Sequence, residues 1–171
     1  MSSGLAFFTL FHVAISLIAI VAGFVVAFGM LTGRRLDGWT ALFLITTAAT
    51  SVTGFFFPVH HFMPSHAVGI ISLLVLPIAI YARYGRHLAG AWRWIYVISS
   101  LFALYLNVFV LIVQSFLKVP ALKALAPTQT ETPFKLTQLV VLVGFVVLAF
   151  LAVIRSRTGF SRLATPPIQA A

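Results

Sequence analysis

Cysteine is absent from this 171-residue sequence, and acidic residues number only two. Without cysteine the chain cannot form disulfides, iron–sulfur clusters or zinc–thiolate sites. The two acids, Asp37 and Glu131, both lie in predicted connections between apolar segments, so no carboxylate is placed to act as an intramembrane proton relay. This disfavours proton-coupled pumps and transporters. A Ser-His-Asp set and a Gly-rich phosphate-binding loop are also missing, which disfavours hydrolysis and phosphoryl transfer and favours a non-enzymatic role.

Apolar residues make up 61% of the sequence and charged residues only 8%. Soluble domains carry about 25% charged residues, so this composition indicates a polytopic integral membrane protein. The first apolar run is too long for a signal peptide and is interpreted as the first span. The sequence predicts an all-α bundle in one membrane domain (1–171), with five transmembrane helices at about residues 5–31, 39–59, 66–84, 94–117 and 134–154 and a tail at 155–171. A four-span bundle with one peripheral apolar run is the alternative.

The 11 basic residues are unevenly distributed among the predicted connections. The connections after the first and third spans and the C-terminal tail hold eight of them: Arg34, Arg35, Arg83, Arg86, Arg93, Arg155, Arg157 and Arg162. The remaining connections hold only Lys118, Lys123 and Lys135. Because cytoplasmic connections carry the excess of Lys and Arg, we expect the N-terminus outside and the C-terminus inside. In a bacterial inner membrane the N-terminus is then periplasmic, and the basic residues face lipid headgroups rather than nucleic acid.

The connection between the second and third spans is rich in metal-ligating side chains. It contains His60, His61, Met63 and His66, and the predicted topology places His12, near the outer end of the first span, at the same membrane face. Imidazole and thioether groups suit copper, iron or zinc. Two imidazoles from different helices also suit the axial positions of a b-type haem. These five residues form the predicted metal or haem site.

A structural role for these side chains is the alternative. Paired histidines in a connection often act as polar caps between helices, and His12 is able to bond a carbonyl or hydroxyl group of a neighbouring span. The spacing of residues 60–66 matches no specific ligand motif. His66 begins its predicted helix, whereas His12 lies about two turns into its own. Their depths are therefore expected to match only if a helix tilts or the connection re-enters the membrane.

Polar residues recur every seven positions along the fourth span, at Ser100, Asn107 and Gln114. This spacing puts the three side chains on one face of the helix. Such a face either lines a polar cavity for a quinone, a lipid or a small solute, or it bonds the helix to its neighbours. The second role is favoured.

Two further patterns concern helix packing. Small residues share one face with His12 in the first span and predict close approach of a neighbouring helix there: Ser16, Ala19, Gly23 and Ala27. The second span is rich in hydroxyl groups that can bond carbonyls of their own helix or groups on another: Thr46, Thr47, Thr50, Ser51 and Thr53.

A family resemblance is carried by Arg83-Tyr-Gly-Arg-His-Leu-Ala-Gly-Ala-Trp-Arg93, Tyr105-Leu-Asn107 and Gln114-Ser-Phe116. Over roughly the second to fourth spans, the chain resembles small uncharacterised multi-spanning proteins of bacterial inner membranes. Some of those families are distantly similar to cytochrome b561-like bundles or to assembly factors for respiratory oxidases. The resemblance implies a bacterial inner membrane. It departs from the b561-like pattern, which places histidine pairs within facing helices, because three of the four candidate histidines lie in or beside a connection.

Three functions follow from these observations. The first is a redox or metal-handling protein whose outer histidines and Met63 ligate haem b or a transition metal (copper, iron or zinc), with Gln114 in contact with the ligands. The second is a non-catalytic accessory or assembly subunit of a membrane complex, whose histidines are structural. The third is a small-solute transporter or channel. The expected partners are the lipid bilayer and another membrane protein or a second copy of the chain, with no nucleic acid.

Overall fold

The computed structural model describes residues 3–57 and 64–161, and those two ranges contain helices and connections but no strand. Five of the helices there are long and apolar enough to cross a membrane, which confirms the predicted all-α bundle and favours it over four spans. They are α1 (Ser3–Thr32), α2 (Asp37–Thr53), α3 (Pro64–Ile80), α4 (Trp92–Lys118) and α6 (Thr132–Ser161), and a short α5 (Pro120–Leu125) precedes the last.

Several boundaries differ from the sequence prediction. The third helix begins at Pro64 rather than at His66, because proline fits the first turn of a helix, where its missing N–H has no partner to lose. Its far end continues as a π-helical turn, Tyr81–Gly85. The last helix runs to Ser161, seven residues beyond the predicted end at 154, so the start of the predicted tail is helical. Residues 162–171 lie outside the described part of the chain.

The bundle has two chemically different ends. The arginine end comprises the end of α1, the start of α2, the π-helical turn, the start of α4 and the end of α6, and its basic residues include Arg34, Arg35, Arg83 and Arg93. The histidine end comprises the start of α1, the 3-10 turn Gly54–Phe56 that follows α2, the start of α3 and the end of α4. His12 and His66 lie at this end, together with α5 and the start of α6.

The fourth helix is the centre of the bundle and contacts α1, α2, α3 and α6. Half of its most apolar stretch is buried inside the protein, against 11% for α6. Leu104 of α4 is packed against Phe43 of α2 and the backbone of α1 at Gly23, and both large side chains are at most 1% exposed. Ala19, Gly23 and Ala27 are buried, so the small-residue face of the first span packs inward as predicted.

Hydroxyl groups of α2 bond three other helices. Thr47 Oγ1 accepts a hydrogen bond of 3.1 Å from Asn107 Nδ2 on α4. Ser51 Oγ lies 3.0 Å from Ser72 Oγ on α3. Thr53 Oγ1 lies 2.8 Å from His12 Nδ1 on α1. Side-chain hydrogen bonds between transmembrane helices contribute on average about 0.6 kcal/mol each to stability. These three bonds therefore orient the helices more than they stabilise the bundle.

At the arginine end, Arg83 is an integral part of the fold. Its guanidinium forms an ion pair with the Asp37 carboxylate at the start of α2. The guanidinium also lies over the Tyr96 ring, 5.4 Å from its centroid, and the Arg83 side chain is only 9% exposed. The ion pair and the cation–π contact together compensate the desolvation of this charge.

We predict that Gly23→Ala destabilises the bundle by about 1–3 kcal/mol, the usual result of overpacking a core. A Cβ on Gly23 would overlap Leu104 Cδ1 and lie 3.0 Å from the Phe43 ring, and both of these side chains are at most 1% exposed. The measurement is the free energy of unfolding in mixed micelles titrated with a denaturing detergent.

Gly144→Ala is the matched control, because Gly144 also lies within a transmembrane helix and a Cβ there meets nothing within 4 Å. The free energy of unfolding of this variant should equal that of the wild type or be slightly higher, since alanine has a higher helix propensity than glycine. Equal stability of the two variants would contradict the close packing of α1 on α4.

Candidate functional site

A cavity of about 710 Å³ opens at the histidine end between α1, α2, α3 and α4. Its walls are mainly apolar, and polar side chains reach it from all four helices. They include His12, Ser16, His66, Asn107, Gln114 and Lys118. The volume lies within the range of roughly 300–1,000 Å³ that is usual for ligand and cofactor sites.

His12 is half-buried on α1 and held in place from two sides. Its Nδ1 lies 2.8 Å from Thr53 Oγ1, and its ring packs edge-on against Phe57 with 5.1 Å between the ring centroids. Because one contact is directional and the other fixes the plane of the ring, the imidazole has a defined orientation at the cavity wall.

The hydrogen bonds of Thr53 determine the tautomer of a neutral His12. A threonine hydroxyl has a single proton, and Thr53 donates it to the carbonyl oxygen of Ala49 at 2.7 Å. Thr53 Oγ1 therefore accepts from His12 Nδ1–H. Neutral histidine carries only one ring proton, so the lone pair of Nε2 is available to a ligand. Metal-ligating histidines usually have this arrangement, with the other ring nitrogen donating to a fixed acceptor.

His66 reaches the same cavity from the start of α3. Its ring lies against Phe55 of the 3-10 turn, with 5.6 Å between the ring centroids. His12 contacts Phe57, two residues further along the same segment. Both imidazoles therefore contact the same short segment, residues 55–57.

Two amide side chains of α4 also line the cavity. Asn107 donates through Nδ2 to Thr47 and so bonds α4 to α2. Asn107 also lines the cavity. Gln114 lies one further heptad along, half-buried at the cavity wall. Ser100, the third residue of the predicted stripe, is 2% exposed and lies in the core outside this cavity, and its Oγ has no hydrogen-bond partner among the described residues.

The remaining predicted ligands, His60, His61 and Met63, lie outside the described residues. Within residues 3–57 and 64–161, no group of three or more His, Cys, Asp or Glu side chains is placed to hold a metal ion. The described part of the predicted site is therefore a pair of imidazoles, His12 and His66, at one cavity.

The connection before α6 is ordered by its own carboxylate. Glu131 accepts hydrogen bonds from the N–H and Oγ1 of Thr128, at 3.1 and 2.9 Å, and from the N–H of Thr130, at 3.0 Å. Desolvation acts to raise the pKa of Glu131, but these bonds outweigh it and hold the pKa below its ordinary value. Gln129 Nε2 donates to the carbonyl oxygen of Val113 at 2.9 Å, which fastens this connection to the end of α4 next to Gln114.

Two residues important to the cavity were not identified individually from the sequence. Thr53 is one of several hydroxyls on α2, and only the three-dimensional structure shows that it orients His12. In the sequence Lys118 indicates only the orientation of the chain, whereas in the structure it is a basic side chain on the cavity wall. The sequence does indicate this position, because Lys118 is a positive charge at the end of the span that carries the polar stripe.

Comparison of the chain with protein-family models, with curated proteins and with solved structures gave no match.

We predict that His12 is protonated on Nδ1 when neutral, and that Thr53→Val shifts the tautomer ratio toward Nε2–H by about threefold or more. The factor corresponds to the loss of one intramembrane hydrogen bond of about 0.6 kcal/mol. The measurement is ¹⁵N NMR of histidine-labelled protein in nanodiscs.

Thr46→Val is the control for this substitution, because Thr46 lies on the same helix but bonds only to carbonyls of its own helix. It should leave the His12 resonances unchanged. An Nε2–H tautomer in the wild type would contradict the assignment.

Proposed function

We propose that the cavity at the histidine end binds haem b, with His12 and His66 as the ligating imidazoles, and that the protein transfers electrons or handles haem in the membrane. The observation that carries the proposal is that two imidazoles from different helices line one cavity, and that one of them is oriented through Nδ1. Bis-histidine ligation between helices is a common way to hold a b-type haem.

The donor set favours haem over a bare metal ion. A protein site for zinc or copper usually needs three or four ligands from side chains, whereas a porphyrin supplies four nitrogens and leaves two axial positions. The described residues offer two imidazoles at the cavity. A bare copper, iron or zinc ion would need further donors, and His60, His61 and Met63 are the candidates by sequence.

The surroundings of the cavity are also compatible with a porphyrin. The ring contacts of His12 and His66 are made by Phe57 and Phe55, which add aromatic surface beside the two imidazoles. Haem carries two propionate groups, and Lys118 is a cation on the wall of this otherwise uncharged cavity. A propionate near the membrane surface would pair with it.

A lipophilic organic ligand with a polar head, such as a quinone, is the second candidate. The specific observation in its favour is that Asn107 and Gln114 present amide groups to the same apolar cavity. An amide can both donate and accept, which suits a carbonyl or hydroxyl head group. Under this alternative the two histidines are additional hydrogen-bonding partners.

The distribution of basic residues supports a location and an orientation for this activity. Eight Lys and Arg side chains belong to the arginine end or the tail beyond it, and three to the histidine end. We expect a bacterial inner membrane with the arginine end in the cytoplasm, so the cavity would open toward the periplasm.

The test is an optical spectrum of the purified protein, oxidised and then reduced with dithionite, with metal analysis of the same sample. We expect a Soret band that shifts on reduction and about one haem iron per chain. A stoichiometric metal without a Soret band would point to a bare-metal site. A colourless, metal-free protein with a co-purified quinone would favour the second candidate, and one with no ligand would favour an accessory or assembly subunit.

Substitution of the ligands gives a sharper prediction. His12→Ala and His66→Ala should each lower bound haem at least tenfold or change its optical spectrum, because each removes one of the two imidazoles that would hold the iron. His87→Ala is the matched control, since it removes a histidine from the arginine end. Thermal stability of all three variants is measured in parallel. Unchanged haem content and spectra in both cavity variants would exclude this pair as ligands.

A further inference from the structure

A second cavity, of about 440 Å³, lies at the arginine end. It is bounded by the end of α1, the start of α2, the start of α4 and Ser156 near the end of α6. Four arginines line it: Arg34, Arg35, Arg83 and Arg93. It is separate from the histidine-end cavity and has no lining residue in common with it.

Two of these guanidinium groups are fixed by the fold. The Arg83 side chain is only 9% exposed, and it is held by the Asp37 carboxylate and by the face of the Tyr96 ring. Arg93 donates through Nη1 to the carbonyl oxygen of Ser156 at 2.8 Å, which joins the start of α4 to the end of α6. Both charges are therefore part of a preformed wall.

The other two arginines are exposed at the connection between α1 and α2. Arg34 and Arg35 follow Gly33, whose φ of 71° turns the chain sharply at the end of α1. Among the described residues, the four arginines of the lining and the Asp37 carboxylate that pairs with Arg83 together give a net charge of +3 around the cavity. Such a concentration of positive charge attracts an anion, and phosphate oxygens suit guanidinium groups best.

The rest of the lining is apolar. Val26 and Met30 of α1, Leu36 before α2 and Val97 of α4 contribute to the wall. Val26 and Val97 lie deeper in their helices than the arginines and are 4% and 3% exposed. A ligand bound here would therefore meet positive charge at the outside and hydrocarbon toward the membrane.

We infer that this cavity binds the phosphate headgroup of an anionic phospholipid. The arginines would contact the phosphate, and the apolar wall would contact the glycerol and the first part of the acyl chains. A soluble phosphate would use the arginines alone, so the apolar wall favours the lipid as the source. Basic pockets between transmembrane helices are recognised positions for anionic lipids.

The experiment is native mass spectrometry of the full chain in detergent. The protein is titrated with dioleoyl phosphatidylglycerol, with dioleoyl phosphatidylcholine and with inorganic phosphate. We expect phosphatidylglycerol to bind at least tenfold more tightly than either of the other two. The double variant Arg34→Gln/Arg35→Gln should lose roughly thirtyfold in affinity for phosphatidylglycerol and each single variant roughly fivefold, since a basic residue near a membrane contributes about a factor of five.

Two further variants separate electrostatics from misfolding. Asp37→Asn removes the only described carboxylate at this end and should raise the affinity for phosphatidylglycerol roughly fivefold, a gain that misfolding would not produce. Lys118→Gln/Lys123→Gln removes two charges from the opposite end and should leave the affinity unchanged.

Equal affinity for the two lipids, or an Arg34→Gln/Arg35→Gln variant that behaves like the lysine control, would overturn the proposal. Inorganic phosphate that binds as tightly as phosphatidylglycerol would assign the site to a soluble anion and overturn the lipid assignment. None of these outcomes depends on whether the other cavity holds haem.

Discussion

Within a bilayer, helices associate through close packing and through directional bonds between them, because a leucine gains little by exchanging lipid for another helix. In this protein those bonds converge on α2. Thr47 bonds α4 through Asn107, Ser51 bonds α3 through Ser72, and Thr53 bonds α1 through His12. The three hydroxyls span two turns of one helix, so they fix how three neighbours are rotated about it. The histidine-end cavity lies among these same four helices, and its shape depends on that arrangement.

The positions of the helices could be predicted from sequence because apolar runs of bilayer length leave few alternatives. The inward face of α1 was also predictable, since Ala19, Gly23 and Ala27 are small and share a face. The hydrogen-bond partners of the hydroxyl groups on α2 were not predictable. Six hydroxyl side chains lie on α2, and which of them meets Asn107, Ser72 or His12 depends on helix rotation and depth, which composition does not encode.

Both acids of the chain form contacts that hold the fold together. Asp37 holds the buried Arg83, and Glu131 organises the connection before α6 through bonds from Thr128 and Thr130. Neither carboxylate lines either cavity. The described side chains that line the histidine-end cavity therefore offer a ligand imidazoles, amides, hydroxyls and the Lys118 ammonium, but no carboxylate.

The bond between His12 and Thr53 connects the assembly of the bundle to its proposed function. It joins α1 to α2, and it also directs the Nδ1 proton away from any ligand. A structural histidine and a ligand histidine would both need a partner here, so the bond alone does not choose between them. The proposed ligation would use Nε2 of His12, which a purely structural role does not require. His66 lines the same cavity, so the two imidazoles of the proposed haem site would come from α1 and α3.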